Sequence, residues 1–147
     1  MPISTKSCVV DASLVVRVLQ PGHPEIVDLW LNWLDSGWQV YAPSLLVYEV
    51  TNALYRSARA RHIGLQPLAA SLEELGQMKL ELVSDLPLSH RAVEMAWTLD
   101  LHAAYDAHYL ALAERLDSEL WTCDQRLAQR LGENLPRLRI SVPTLDR

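Results

Sequence analysis

The 147-residue sequence predicts an α/β fold, with a mainly parallel central sheet of about five strands flanked by helices. Three observations carry that expectation. Short apolar runs recur along the chain. Segments of helical periodicity separate them, so that successive strands are joined by crossovers. Pro21, Pro24, Pro43, Pro67, Pro87 and Pro143 punctuate the boundaries.

The first strand is placed at Ser7–Asp11, where a cysteine and two valines form a buried run that a carboxylate closes. A helix over Glu25–Ser36 follows, then a strand at Gln39–Ala42. Pro43 and Ser44 open a long helix over Ser44–Arg61. Its core-facing stripe is Leu46, Val50, Ala53 and Leu54, and its polar stripe is Glu49, Asn52, Arg56 and Arg59. The middle continues with a helix over Pro67–Lys79, a strand at Glu81–Ser84 and a helix over Ser89–Leu99. The last third reads as helix Tyr105–Leu116, strand Glu119–Thr122, helix Gln125–Leu131 and strand Leu138–Val142. No repeat, low-complexity stretch or linker interrupts this pattern, so residues 1–147 are expected to form one domain.

Half of the residues are apolar and 21% are charged, the balance of a globular chain rather than a disordered one. A net charge of −5 argues against coating nucleic acid by bulk positive charge, while leaving room for a local basic groove. The start, "MPISTKS", has no apolar leader, and no run approaches the roughly 18 apolar residues of a membrane span. The expected location is the cytoplasm, with no membrane partner. Cys8 and Cys123 have no Cys-x-x-Cys spacing and read as buried free thiols.

The acids hold the functional signal. In parallel sheets, ligands bind beyond the carboxyl ends of strands, near the point where strand order reverses. Asp11 closes the first strand and Asp124 follows the fourth. Each has a bland explanation. Asp11 and Asp124 can cap the helices after them, and Asp106 can complement a helix dipole in its first turn. Glu49 can belong to a solvated polar face, yet Val47, Tyr48 and Val50 around it imply partial desolvation. Unpaired there, it would cost energy or stay protonated. Four acids with poor local partners can share one, and a hard divalent cation such as Mg²⁺ takes carboxylate oxygens and waters.

Three stretches, in order, resemble the motifs of the PIN domain family, and within it the VapC-type toxin ribonucleases of type II toxin–antitoxin pairs. They are "VVDASLVV", "APSLLVYEVTNALYR" and "AYDAHYLALAERLDSELWTCDQRL". The likeness runs from about Ser7 to Pro143 and implies a PIN-like three-layer fold. It implies a catalytic quartet of Asp11, Glu49, Asp106 and Asp124. Mg²⁺ or Mn²⁺ would be held chiefly by Asp11 and Asp106, with Glu49 and Asp124 assisting directly or through water. Ser13 and Thr122 would support with hydroxyls, and Asn52 would orient Glu49. The implied reaction is hydrolysis of RNA phosphodiesters by a water activated on the cation. The implied partners are an RNA substrate, a cognate antitoxin protein and a second copy of the chain.

Two segments are assigned to those partners. Between Glu25 and Trp38, eight residues (Ile26, Val27, Leu29, Trp30, Leu31, Trp33, Leu34 and Trp38) exceed what one core-facing stripe uses. That surplus is expected to meet an antitoxin segment or a second subunit; the alternative is a helix buried on two sides. Arg56 and Arg59 continue the Glu49 stripe and are expected to contact RNA phosphates; the alternative is a solvated helix end.

Other site types fail on residues. His102 and His108 flank Asp106 with no triad or zinc spacing and read as surface or packing histidines. A dehalogenase-type phosphatase wants an Asp where Ser13 stands, and a receiver domain wants a lysine after a late strand, whereas the lysines are Lys6 and Lys79. A dinucleotide fold wants glycines after the first strand, and "DASLVV" has none. The remaining alternative to an enzyme is a catalytically silent module of the same fold that binds RNA or protein.

Overall fold

The computed structural model describes residues 6–134 and 139–143. Among these, five strands form one sheet: β1 (Ser7–Val10), β2 (Gln39–Pro43), β3 (Leu80–Val83), β4 (Glu119–Trp121) and β5 (Ile140–Ser141). Their order is β3-β2-β1-β4-β5, and every neighbouring pair is parallel. Seven helices connect them among the described residues: α1 (Ala12–Leu19), α2 (Pro24–Asp35), α3 (Leu45–Ala60), α4 (Leu65–Gln77), α5 (Leu86–Thr98), α6 (Tyr105–Leu116) and α7 (Gln125–Asn134). The expected α/β class, with its parallel sheet between helices, is what the chain adopts.

Cys8, Val9 and Val10 of β1 are all fully buried. Successive strand residues point to opposite faces, so both faces of the centre are covered. The α1–α3, α1–α2 and α3–α4 contacts build one helical group, while α5 and α6 pair in another that packs on β1, β2 and β4 through α6. Asp85 fastens that second group. It caps α5 by accepting from Leu88 N at 2.7 Å, and it takes two bonds from Arg115 of α6, at 2.8 and 2.9 Å. Fully burying each of the many Leu, Val and Ile side chains in the single core cluster contributes roughly 1.5–3 kcal/mol.

Several expectations need correction. α1 was given no range in the sequence reading, because Val15, Val16 and Val18 are poor helix formers. The Asp11 cap and burial of Leu14 and Val15 override that weak propensity. α5 begins three residues earlier than expected, since Pro87 sits in its first turn, where a missing N–H costs nothing. In α2, Ile26, Trp30 and Trp33 are buried and Leu29, Leu34 and Trp38 pack against the core. Trp33 stands edge-on to Trp30 and Trp121 and stacks with Trp38. Most of the supposed surplus is thus core, and Leu31 is its one strongly exposed member. The expected fifth strand began at Leu138, which lies outside the described residues.

Candidate active site

The topology places a site before any side chain is considered. β1 is followed outward by β2 and β3 on one side, and the chain then crosses back to β4 on the other. The reversal lies between β1 and β4, whose ends are tied by Asp11 N–H donating to the Trp121 carbonyl at 3.1 Å. Asp11 and Asp124 emerge beside this point.

Asp11 is held from three directions. Its Oδ1 accepts from Leu14 N at 3.2 Å and from Ser13 Oγ at 2.6 Å, and Thr122 Oγ1 donates to Oδ2. Both hydroxyls are themselves positioned by backbone. Cys123 N donates to Ser13 Oγ at 2.9 Å, and Asp124 N donates to Thr122 Oγ1 at 3.0 Å. Three of roughly four lone-pair positions on Asp11 are therefore taken, and the one left is on Oδ2. Burial drives the Asp11 carboxyl above its ordinary value, outweighing the three donors that favour the charged form; the nearby Asp124 charge adds to the rise.

Glu49 reaches the same place from α3, half-buried. Tyr109 of α6 donates to its Oε1 at 2.6 Å. Its pKa also rises, first from desolvation and then from the charges of Asp106 and Asp11. Asn52, assigned to orient Glu49, lies beside it in a neighbouring cavity and makes no hydrogen bond to it; the orienting group is Tyr109. Tyr109 is a residue that the sequence reading missed. Its spacing of three from Asp106 puts both on one face of α6, which is the available signal, but its partner is 60 positions away.

Asp106 stands in the first turn of α6, exposed and without a hydrogen bond among the described residues. Asp124 caps α7, accepting from Leu127 N at 3.0 Å through Oδ1 and leaving Oδ2 uncommitted among the described residues. All four acids, with Ser13 and Tyr109, line one cavity of about 170 Å³. A larger cavity of about 670 Å³ continues from it past Glu49 and Asp106 to Tyr48, Asn52, His102, Tyr105 and Arg130. A third, of about 510 Å³, runs from Glu49 and Ser13 to Arg17, Gln20 and His23. Arg17 and Arg130 were also missed. Arg56 and Arg59 are exposed farther along α3 and line none of these three cavities.

The donor set is oxygen-only and acidic, the chemistry of a hard cation rather than of zinc or copper. Among the described residues, no three His, Cys, Asp or Glu side chains form a group that could hold a metal ion unaided. A cation here would rely on one or two carboxylates and retained waters, which is how Mg²⁺ is commonly bound. His108 is occupied structurally: its Nδ1 bonds the Ala104 carbonyl at 2.7 Å, so Nε2 accepts from Ser89 Oγ at 3.2 Å. Both cysteines are free, and burial pushes the Cys8 thiol up to about 12, which leaves it unreactive.

An acid cluster at the reversal of a parallel sheet marks a ligand site of an α/β fold, and comparison with known proteins says which family carries it. The PIN domain family model matches residues 8–132. The chain belongs to the PIN domain family. It is 38% identical over 127 residues to Ribonuclease VapC1 of Mycobacterium tuberculosis, covering 85% of this chain and 91% of that one. It is 29% identical over 124 residues to Ribonuclease VapC3 of Pyrobaculum aerophilum, covering 83% and 92%. The fold matches VapBC2 from Rickettsia felis bound to a DNA fragment from their promoter, with TM-score 0.67, 12% identity and coverage of 92% and 98%. It also matches a toxin–antitoxin complex from Klebsiella pneumoniae, with TM-score 0.62, 18% identity and coverage of 95% and 99%.

Proposed function

We propose that this chain is a metal-dependent endoribonuclease, the toxin of a toxin–antitoxin pair. The observation that carries the reading is that Asp11, Glu49, Asp106 and Asp124, from four separate parts of the chain, line one small cavity at the switch point of the sheet. The names of the VapC relatives support ribonuclease chemistry, and the toxin–antitoxin complexes of the same fold support an antitoxin partner.

The residues divide the work. Asp11, through its remaining Oδ2 position, and Asp106, with no competing hydrogen bond, would hold Mg²⁺ or Mn²⁺. When bound, the ion would acidify a water and neutralise charge on the phosphate. Glu49 and Asp124 complete the negative wall, and their uncommitted oxygens can orient a water for in-line attack. Ser13, Thr122 and Tyr109 keep Asp11 and Glu49 in place by donating to them. A side-chain nucleophile is not required.

The test is RNA cleavage by the purified chain with Mg²⁺, with Mn²⁺ and with EDTA. Cleavage should need the cation, and Asp106→Asn should lower it by about a hundredfold or more, the scale of losing one catalytic electrostatic contact. Equal cleavage in EDTA would remove the metal from this reading, and no cleavage under any condition would favour the silent binding module.

A further inference from the structure

The 670 Å³ cavity contains groups that the reaction just described does not use. Tyr48 of α3 is 75% exposed and Tyr105, the first residue of α6, is 65% exposed, and both line it. Neither phenol makes a hydrogen bond among the described residues, in contrast to buried Tyr109. Each immediately precedes a site acid, Glu49 or Asp106. Successive helical side chains diverge by about 100°, so turning each acid into the small cavity leaves its tyrosine on the rim. The two cavities share Glu49, Asp106 and Leu131, so whatever occupies the larger one touches the acid site.

Charge narrows the choice of occupant. Glu49, Asp100 and Asp106 line this space against one guanidinium, Arg130. A phosphate gains little there, whereas a neutral π-face gains from stacking. The volume lies within the roughly 300–1,000 Å³ of ligand sites, ample for a nucleoside. Base faces are covered in a duplex and open only in unpaired segments.

We propose that Tyr48 and Tyr105 form a nucleobase clamp that seats an unpaired base beside the scissile phosphate. The clamp rests on the ribonuclease reading and adds the two residues that hold the base.

The experiment uses Asp11→Asn, which is not expected to cleave, and an end-labelled unstructured RNA of about 12 nucleotides, within the usual range of single-strand sites. Affinity is read by fluorescence anisotropy across a salt series, with the same RNA annealed to its complement as the control. The single strand should bind more tightly than the duplex. Adding Tyr48→Ala or Tyr105→Ala should weaken single-strand binding about tenfold each, the loss of one base stack, while Tyr48→Phe and Tyr105→Phe keep it. The salt slope should not change, because no phosphate contact is lost. Both tyrosines are exposed, so melting temperatures should match the parent.

Unchanged affinity in both alanine variants overturns the clamp. That result is also expected if the rim instead seats a protein segment, and wild-type RNA cleavage would leave the nuclease reading standing. A reduced salt slope overturns it too, by showing a charge contact. Absence of both RNA binding and wild-type cleavage removes clamp and nuclease reading together.

Discussion

A single carboxylate at this site does two jobs, one oxygen for each. Asp11 and Asp124 both cap a following helix through Oδ1, so the bland reading of each acid holds alongside the functional one. What the sequence could not display was the cost of gathering them. Burial raises the carboxyls of Asp11 and Glu49, so the folded state binds protons there more readily than the unfolded chain. Stability from Glu49 is therefore fully present below its ordinary 4.5 and is lost as pH rises through its folded value. At pH 7, without a cation, its charge opposes folding. Glu49→Gln removes that charge and can keep the Tyr109 bond, so its melting temperature in EDTA should exceed the wild type at pH 7. The gap should close as pH falls toward 4.5, where wild-type Glu49 becomes neutral. Melting curves at stepped pH measure it, and a gap that widens on acidification would contradict the placement of Glu49 in a desolvated acidic pocket.

At the scale of elements, legibility followed local rules and failed where packing overrode them. Strands and most helices were readable from apolar periodicity and prolines. α1 was not, because its valines argue against a helix that Asp11 and the core impose. The apolar surplus around α2 left a partner face and burial on two sides both open, and its tryptophans turn inward around Trp33. α3 is a clearer case: Leu46, Val50 and Leu54 are buried as its period requires, and Arg56 and Arg59 are exposed on the stripe that begins with Glu49. Arg59 lies over the Tyr55 ring at 6.0 Å, which limits its wandering without neutralising it. These two guanidiniums are proposed to steer the RNA backbone toward the acids. Replacing both with Gln should weaken binding of every RNA sequence and reduce the salt slope by about 0.7 per lost contact on a single strand. A salt series with slope unchanged would make them a solvated helix end.

The molecule as a whole brings the four acids together because parallel crossovers carry every strand's carboxyl end to one edge, and order 3-2-1-4-5 opens a crevice there. The sequence could show that Asp11 and Asp124 end strands; it could not show α3 and α6 arriving over them, since those contacts span long separations. The same limit applies to the outer surface. The apolar surplus around α2 was expected to meet an antitoxin segment or a second subunit, yet the exposed apolar stripe lies on α5. Leu86 is 76% exposed, Val93 56% and Trp97 87%, and spacings of seven and four put them on one face. A tryptophan left almost wholly in water is uncommon on a monomer, and burying it on a partner contributes roughly 1.5–3 kcal/mol per large apolar side chain. A homodimer through α5 is the arrangement proposed here. Light scattering at micromolar concentration should give about twice the chain's 16.6 kDa mass. Trp97→Glu should shift the species to monomer without changing the far-ultraviolet dichroism, because Trp97 is not in the core. Leu31→Glu on α2 serves as the contrast and should leave the dimer intact. A wild-type monomer would exclude the dimer, and dissociation by Leu31→Glu instead of Trp97→Glu would return the interface to α2.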